Sequence, residues 1–269
     1  SAKHVYLGTA CQCLYVGNEQ FFTEPTGHGS AFWYNNRDHG LSVAIYLGSS
    51  AVLQILVGPL SDKIGRRPAL LWSLGIFIFA SFACIFAQNT IVFMILRAIQ
   101  AFAACAMVLS RAIVRDTSDT QKSASKIAYI SMGMAITPMF APALGGFLDN
   151  WFGWEANFWM LGGVGTLIWV LTYFDQGETV PQSTEGFTEQ LKEYPELLTS
   201  RRFWGYCLAS AFSGGAYFAY LGGGPFVGSV VFDLSPEKLG IYFGAPAIGY
   251  FAGNFISGRY SVRFGIDAM

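Results

Sequence analysis

Apolar residues are concentrated in seven long runs, and a polar segment separates each run from the next. An α-helix of about 20 residues, rising 1.5 Å per residue, is long enough to cross the ~30 Å hydrocarbon core of a bilayer. The runs are Leu41 to Leu60, Ala69 to Ala87, Thr90 to Ser110, Ile127 to Leu148, Trp154 to Phe174, Phe203 to Phe232 and Leu239 to Ser257. The pattern predicts an all-α polytopic membrane protein with about seven or eight transmembrane helices.

The longest polar segments divide the chain into four parts. These are an atypical N-terminal segment (1–40), an N-terminal transmembrane bundle (41–174), a cytoplasmic linker (175–202) and the start of a C-terminal transmembrane bundle (203–269). In the first part, Val5 to Val16 is too short for a regular span and is a candidate remnant of a first helix, followed by an external loop. In the last part, Gly222 to Pro225 is expected to break or kink a run that exceeds one straight span.

The positive charges follow the alternation of the runs. Twelve of the 16 Lys and Arg residues lie in every second polar segment, whereas Lys238 is the one such residue after position 40 in the opposite set. Arg97 lies inside a run, and Lys3 and Arg37 precede the first clear run. Because Lys and Arg are enriched in cytoplasmic loops, the basic segments are predicted to face the cytoplasm.

The composition argues against several other classes of protein. With 53% apolar and 12% charged residues and a net charge of −1, the chain is not predicted to bind nucleic acid. The three histidines lie in the first forty residues without metal-ligand spacing, so no metal site or cofactor is predicted. The five cysteines do not indicate disulfides. No cluster of nucleophile, base and orienting residue is recognisable, and the protein is therefore not predicted to be an enzyme.

The charged segment between the first two clear runs, GPLSDKIGRRP, is predicted to be a cytoplasmic turn. In residue order it resembles motif A of the major facilitator superfamily, and GRYSVRFG near the end of the chain is a weaker echo of it. The resemblance implies a fold of two helix bundles, present here incompletely, and a cytoplasmic gate. Asp62 is expected to accept hydrogen bonds at a helix start, to pair with an arginine and to contact the other bundle. The predicted gate residues are Gly58, Asp62, Gly65, Arg66, Arg67 and Arg115.

Arg97 is the charged residue that lies well inside a span. A cation in hydrocarbon costs at least ~2.5 kcal/mol, so Arg97 should face the bundle interior or water. Arg97 and Gln100 resemble the Arg-x-x-Gln core of the superfamily's motif B, which implies a role in proton coupling, although Ala101 stands where glycine is preferred. The alternative is a structural arginine that bonds neighbouring backbone carbonyls. Further cavity-lining candidates are Gln54, Tyr129, Met132, Tyr217 and Tyr220.

A run rich in glycine and proline, GMAITPMFAPALGG, is predicted to form a bent helix packed closely against a neighbour. It resembles motif C, which is associated with antiporters, although Ala141 stands where glycine commonly precedes proline. The residues that carry this resemblance are Gly133, Pro138, Pro142, Gly145 and Gly146. Together with WFGWEANFW, GGGPF and VRD, the motifs are similar to those of Bcr/CflA-type drug:proton antiporters.

The resemblance implies a secondary active transporter that exports small amphipathic compounds or drugs against proton entry by alternating access. Its partners would be a small-molecule substrate, protons and membrane lipid, and the complete protein would be a monomer in a bacterial inner membrane. The chain looks truncated, and its activity alone is left open. Two alternatives remain: a facilitator or symporter of a small metabolite, and a membrane scaffold that does not transport.

Overall fold

A computed structural model of the protein describes residues 36–179, 194–227, 231–233 and 236–264. These residues form eight main helices, contain no β-strand, and include a short helix at residues 194–199. The main helices are α1 (Asn36–Ile64), α2 (Arg66–Ile85), α3 (Thr90–Gln100), α4 (Ala103–Asp116), α5 (Thr120–Phe152), α6 (Glu155–Asp175), α7 (Arg201–Phe226) and α8 (Pro236–Phe264). The prediction of an all-α fold is confirmed, whereas the proposed remnant helix at Val5 to Val16 lies outside the described residues.

Four described segments have the length and apolar composition of a membrane span. They are Ala44–Ile64, Arg66–Ile85, Thr90–Asp116 and Glu155–Asp175. Helices α5, α7 and α8, with 33, 26 and 29 residues, are also long enough to cross a bilayer at 1.5 Å per residue. Large apolar side chains such as Trp72, Phe79 and Ile91 are exposed on the outside of the protein, as expected for helices surrounded by lipid.

The helices extend beyond the apolar runs at their polar ends. Helix α1 already begins at Asn36, so Arg37 and Asp38 are helical rather than part of a loop. Between the apolar runs that end at Ser110 and begin at Ile127, only residues 117–119 are not helical. The helices extend past the apolar runs because a helix keeps its backbone hydrogen bonds in the headgroup region, where its polar side chains reach water.

The predicted turn between the first two spans is also much shorter than expected. Helix α1 continues through Gly58 and Asp62, and Gly65 alone separates it from α2. Gly65 has a φ of 99°, a conformation that favours glycine, and Pro68 lies in the first turn of α2, where its missing N–H is not needed. We call residues 58–68 the basic-end hairpin, because Lys63, Arg66 and Arg67 give this end of the helices a positive charge.

The predicted single span from Thr90 to Ser110 contains a local irregularity directly after Gln100. The amides of Phe102, Ala104 and Cys105 donate to carbonyls three residues earlier. Such bonds tighten the helix locally as in a 3₁₀ turn. Ala101 and Phe102 therefore separate α3 from α4 without reversing the direction of the chain.

Helix packing gives the protein two distinct ends. The hairpin, the end of α4 and the end of α6 meet at what we call the basic end. At the opposite, aromatic end, Phe93, Trp154 and Phe158 pack with their ring centroids 5.6 to 6.5 Å apart. Between these ends α6 packs closely on α2, because Gly162 and Gly165 leave room for aromatic rings of α2.

The most extensive contact between two described helices joins α5 to α8. Gly258 of α8 is buried, and a Cβ atom at this position would lie 3.1 Å from the ring of Tyr129. The hydroxyl of Ser125 donates to the carbonyl of Gly258. A glycine therefore allows α8 to approach the part of α5 that is near the basic end.

Candidate functional site

A buried polar cluster surrounds Arg97 in the first half of the chain. The side chains of Arg97 and Gln100 are fully buried, and Nη1 of Arg97 donates to Oε1 of Gln100 over 2.6 Å. Nε2 of Gln100 donates to Oγ of Ser81 over 2.9 Å, and Ser81 donates to the carbonyl of Phe77. The Arg97 guanidinium also lies 4.9 Å from the centre of the Tyr46 ring. We call Arg97, Gln100, Ser81 and Tyr46 the arginine cluster.

The spacing of the sequence explains how three helices build this cluster. Arg97 and Gln100 are three residues apart on α3, which places them on one face of that helix. Helix α1 contributes the ring of Tyr46, and α2 contributes Ser81. A cation–π contact that is removed from water contributes about 2 kcal/mol, of the same order as the lower estimates for burying arginine in a membrane.

A second polar cluster lies at the basic end and is centred on Arg66. Its side chain is 6% exposed; Nε lies 3.0 Å from Oδ2 of Asp116, and Nη2 lies 2.5 Å from Oδ1 of Asp62. Nη1 donates to Oγ of Ser61. Arg66 thus joins the end of α1, the start of α2 and the end of α4, and we call Arg66, Asp62, Asp116 and Ser61 the basic-end cluster.

The carboxylate at the start of α2 is not the one expected from the sequence. Glu178, which follows α6, accepts from the backbone amides of Arg66 and Arg67 over 2.9 and 3.3 Å. Asp62 pairs with the Arg66 side chain, as predicted, but does not take the place at the helix start. The Arg67 guanidinium donates to the carbonyl of Tyr173 and lies 5.4 Å from the centre of its ring. Sequence reasoning missed Glu178 because 112 residues separate it from Arg66.

Arg115 and Asp116 are adjacent in sequence but differ in their surroundings. The Arg115 side chain is 71% exposed and approaches Asp116 only to 3.8 Å, whereas the Asp116 side chain is 17% exposed and binds Arg66. The acid therefore joins the basic-end cluster more closely than the arginine selected from the sequence. The motif VRD was a signal for this position, because its acid lies at the end of α4 beside the hairpin.

The linker also contacts α1 through Tyr194, just before the basic-end hairpin. Its hydroxyl donates to the carbonyl of Ile55 over 2.9 Å. Partial burial, and then the negative charge of Asp62, raise the pKa of Tyr194 above its ordinary value. Both described ends of the linker, residues 176–179 and the start of the helix at 194–199, therefore lie at the basic end.

The remaining predicted site residues are distributed over several helices. Gln54 on α1 and Met132 on α5 are half-buried, and Tyr129 packs against Gly258. Tyr220 of α7 donates to the carbonyl of Tyr242 on α8, whereas the side chain of Tyr217 lies outside the described part of the chain. The Gly58 carbonyl accepts from Ser61.

The antiporter-motif residues Gly133, Pro138, Pro142, Gly145 and Gly146 all lie within α5, and neither proline ends that helix.

A bundle of apolar spans with a buried arginine and a charged hairpin at one end is the architecture of a polytopic membrane protein. Residues 24–269 match the family Major Facilitator Superfamily, and the chain belongs to this family. The predicted fold class is thereby confirmed, as is the prediction that the protein is not an enzyme, because members of this family are transporters.

Two bacterial membrane proteins are similar to this chain in sequence. The chain is 34% identical to the uncharacterized MFS-type transporter YdgK of Bacillus subtilis (strain 168), over 82% of this chain and 56% of that protein. It is 30% identical to the multidrug resistance protein MdtL of Escherichia coli (strain HS), over 61% of this chain and 42% of that protein. The chain thus spans about half the length of the curated relatives it matches.

Two solved structures share the fold at 20% sequence identity. The human organic anion transporter MFSD10 superimposes with a TM-score of 0.64, covering 98% of this chain and 72% of that one. A bacterial homolog of the human lysosomal transporter Spinster gives a TM-score of 0.60, covering 97% of this chain and 64% of that one. At this level of identity the likeness concerns the fold.

Proposed function

We propose that the chain is part of a secondary active transporter that exports small amphipathic compounds or drugs in exchange for protons, as Bcr/CflA-type antiporters do. The observation that carries this proposal is the fully buried Arg97, held by Gln100 and Tyr46 inside the membrane-spanning helices. A cation in a span is costly and is therefore typical of a substrate or proton pathway. The name of the relative MdtL and the resemblance of α5 to the antiporter motif support export.

Arg97 would act by its fixed positive charge. In a medium of low dielectric constant, a nearby cation favours the ionised form of an acid and so promotes release of its proton. The bonds to Gln100 and Ser81 would hold the guanidinium in place while protons and substrate exchange. A fixed charge inside the bundle is thus suited to coupling the two movements.

The basic end would face the cytoplasm, in a bacterial inner membrane, because it carries most of the Lys and Arg residues. Transporters of this architecture move one bundle against the other around a central site. The contact of Gly258 with Tyr129 and Ser125 joins α5 to α8 near this end. We expect this contact to form when the cytoplasmic side closes and to separate when it opens.

The proposed function can be tested by uptake into inside-out vesicles from cells that express the open reading frame containing this chain. A fluorescent amphipathic cation should accumulate in the vesicles when a proton gradient is present, and a protonophore should abolish its accumulation. Saturable movement that persists without the gradient would favour a facilitator. Binding without movement would favour a scaffold.

We predict that Gly258→Leu reduces transport and leaves the cytoplasmic side open more of the time. The added side chain would meet the Tyr129 ring, so α5 and α8 could not approach as closely. Labelling of a cysteine in the cytoplasmic half of the cavity should therefore become faster. Gly253→Leu is the matched control on α8, because Gly253 is exposed and has open space beside it. Equal effects of the two substitutions would contradict the prediction.

A further inference from the structure

The first turn of α2 lacks a cap from its own segment. The first backbone N–H groups of a helix have no partner within the helix and are usually satisfied by the side chain of the preceding residue. In α2 that residue is Gly65, which has no side chain. The cap for Arg66 and Arg67 must therefore come from elsewhere in the protein.

Glu178 supplies this cap from the segment that follows α6. Its two carboxylate oxygens accept from two successive amides, those of Arg66 and Arg67. A negative charge at this position also interacts favourably with the helix dipole. One carboxylate thus serves both as a hydrogen-bond acceptor and as a counter-charge for the start of α2.

Gly65 makes room for the carboxylate. A Cβ atom at position 65 would lie 2.5 Å from Oε2 of Glu178, closer than two such atoms can approach. Gly65 also has a φ of 99°, which glycine adopts at low cost. The glycine of the hairpin and the acid after α6 therefore form one structural unit.

The capped turn is the turn that presents Arg66 to its partners. Arg66 is the first residue of α2, and its side chain reaches Asp62 on α1 and Asp116 on α4. Because the backbone amide and the guanidinium belong to one residue, movement of this turn would displace the guanidinium. Nearby, Arg67 contacts Tyr173 at the end of α6, and Tyr194 of the linker contacts Ile55 on α1.

We propose that Glu178 is a positioning residue, which fixes the first turn of α2 and thereby holds Arg66 in the basic-end cluster. The segment after α6 is then mechanically coupled to the hairpin, and a movement of the linker alters the hairpin. The effect on transport rests on the proposed function, whereas the effect on the hairpin itself does not.

Amide hydrogen exchange of the purified protein in detergent tests the structural part directly. Glu178→Ala should accelerate exchange in peptides that cover residues 64–70 by on the order of tenfold, the size expected from loss of a helix cap. Glu178→Gln, which keeps one acceptor oxygen but no charge, should give a smaller acceleration. The matched control is Glu196→Gln, an exposed acid of the helix at 194–199. Unchanged exchange in Glu178→Ala, or the same change in the control, would overturn the proposal.

A substitution of Gly65 tests the same contact between Gly65 and the Glu178 carboxylate. Gly65→Ala should displace the Glu178 carboxylate and accelerate exchange in the same peptides, and adding Glu178→Ala to it should produce little further change. Additive effects of the two substitutions would contradict a shared role. In the vesicle assay Glu178→Ala should slow uptake of the fluorescent cation, whereas Glu196→Gln should not. If exchange responds as expected but not even the wild-type protein transports, the proposed function fails and the positioning role stands.

Discussion

Arg97→Ala should abolish proton-coupled efflux, whereas Arg97→Lys should retain a measurable part of it. Alanine removes the buried positive charge and also leaves Gln100 without the donor that its Oε1 accepts from. Lysine keeps the charge but lacks the planar guanidinium group that donates to the Gln100 amide and lies over the Tyr46 ring. The measurement is gradient-driven uptake of a fluorescent amphipathic cation into inside-out vesicles, normalised to the amount of protein in the membrane.

The structural alternative for Arg97 requires a separate measurement. Leaving a buried amide without its partner costs about 1 to 3 kcal/mol, so the alanine variant is expected to have a lower melting temperature. Gln100→Ala is a matched control, because it removes the Arg97–Gln100 bond, together with the Gln100–Ser81 bond, but keeps the charge. If Gln100→Ala lowers stability similarly yet preserves gradient dependence, the charge of Arg97 carries the coupling. Wild-type efflux by Arg97→Ala would instead assign Arg97 a purely structural role.

The sequence predicted the parts of the fold that depend on composition along the chain. Long apolar runs identify spans because a helix satisfies all of its own backbone hydrogen bonds in lipid. The same runs do not identify where a helix ends in the headgroup region, and so α1 and α4 extend past the ends of the apolar runs. The irregularity at Ala101 was also missed, because its φ and ψ are close to helical and no proline marks it.

The candidate sites were predicted only where their residues are near one another in sequence. Arg97 and Gln100 belong to one helix face, and their pairing follows from the spacing. Glu178 and Tyr46 come from other parts of the chain, and their roles depend on how the helices pack. Tyr129 was selected as a polar aromatic residue of a cavity; its packing against a glycine of α8 could not be predicted from the sequence.

The second large effect is expected for Asp116→Asn, which should slow transport strongly, while Arg115→Gln should have little effect. The two residues are neighbours, so the comparison holds the local backbone constant. Asp116 binds the nearly buried Arg66 and connects α4 to the basic-end hairpin, whereas the Arg115 side chain is mostly exposed. A charge-assisted hydrogen bond of this kind contributes about 1.5 to 3 kcal/mol, but an exposed arginine contributes little.

Hydrogen exchange separates loosening of the hairpin from a general loss of stability. In Asp116→Asn, exchange should increase in the hairpin and in the last turn of α4 but not at the aromatic end around Phe93 and Phe158. Adding Arg66→Gln should then produce less change than it does in the wild-type protein, because the shared bond is already weakened. If Arg115→Gln slows transport as much as Asp116→Asn, the positive charge at the end of α4 matters more than the ion pair. The role assigned here to Asp116 would then be wrong.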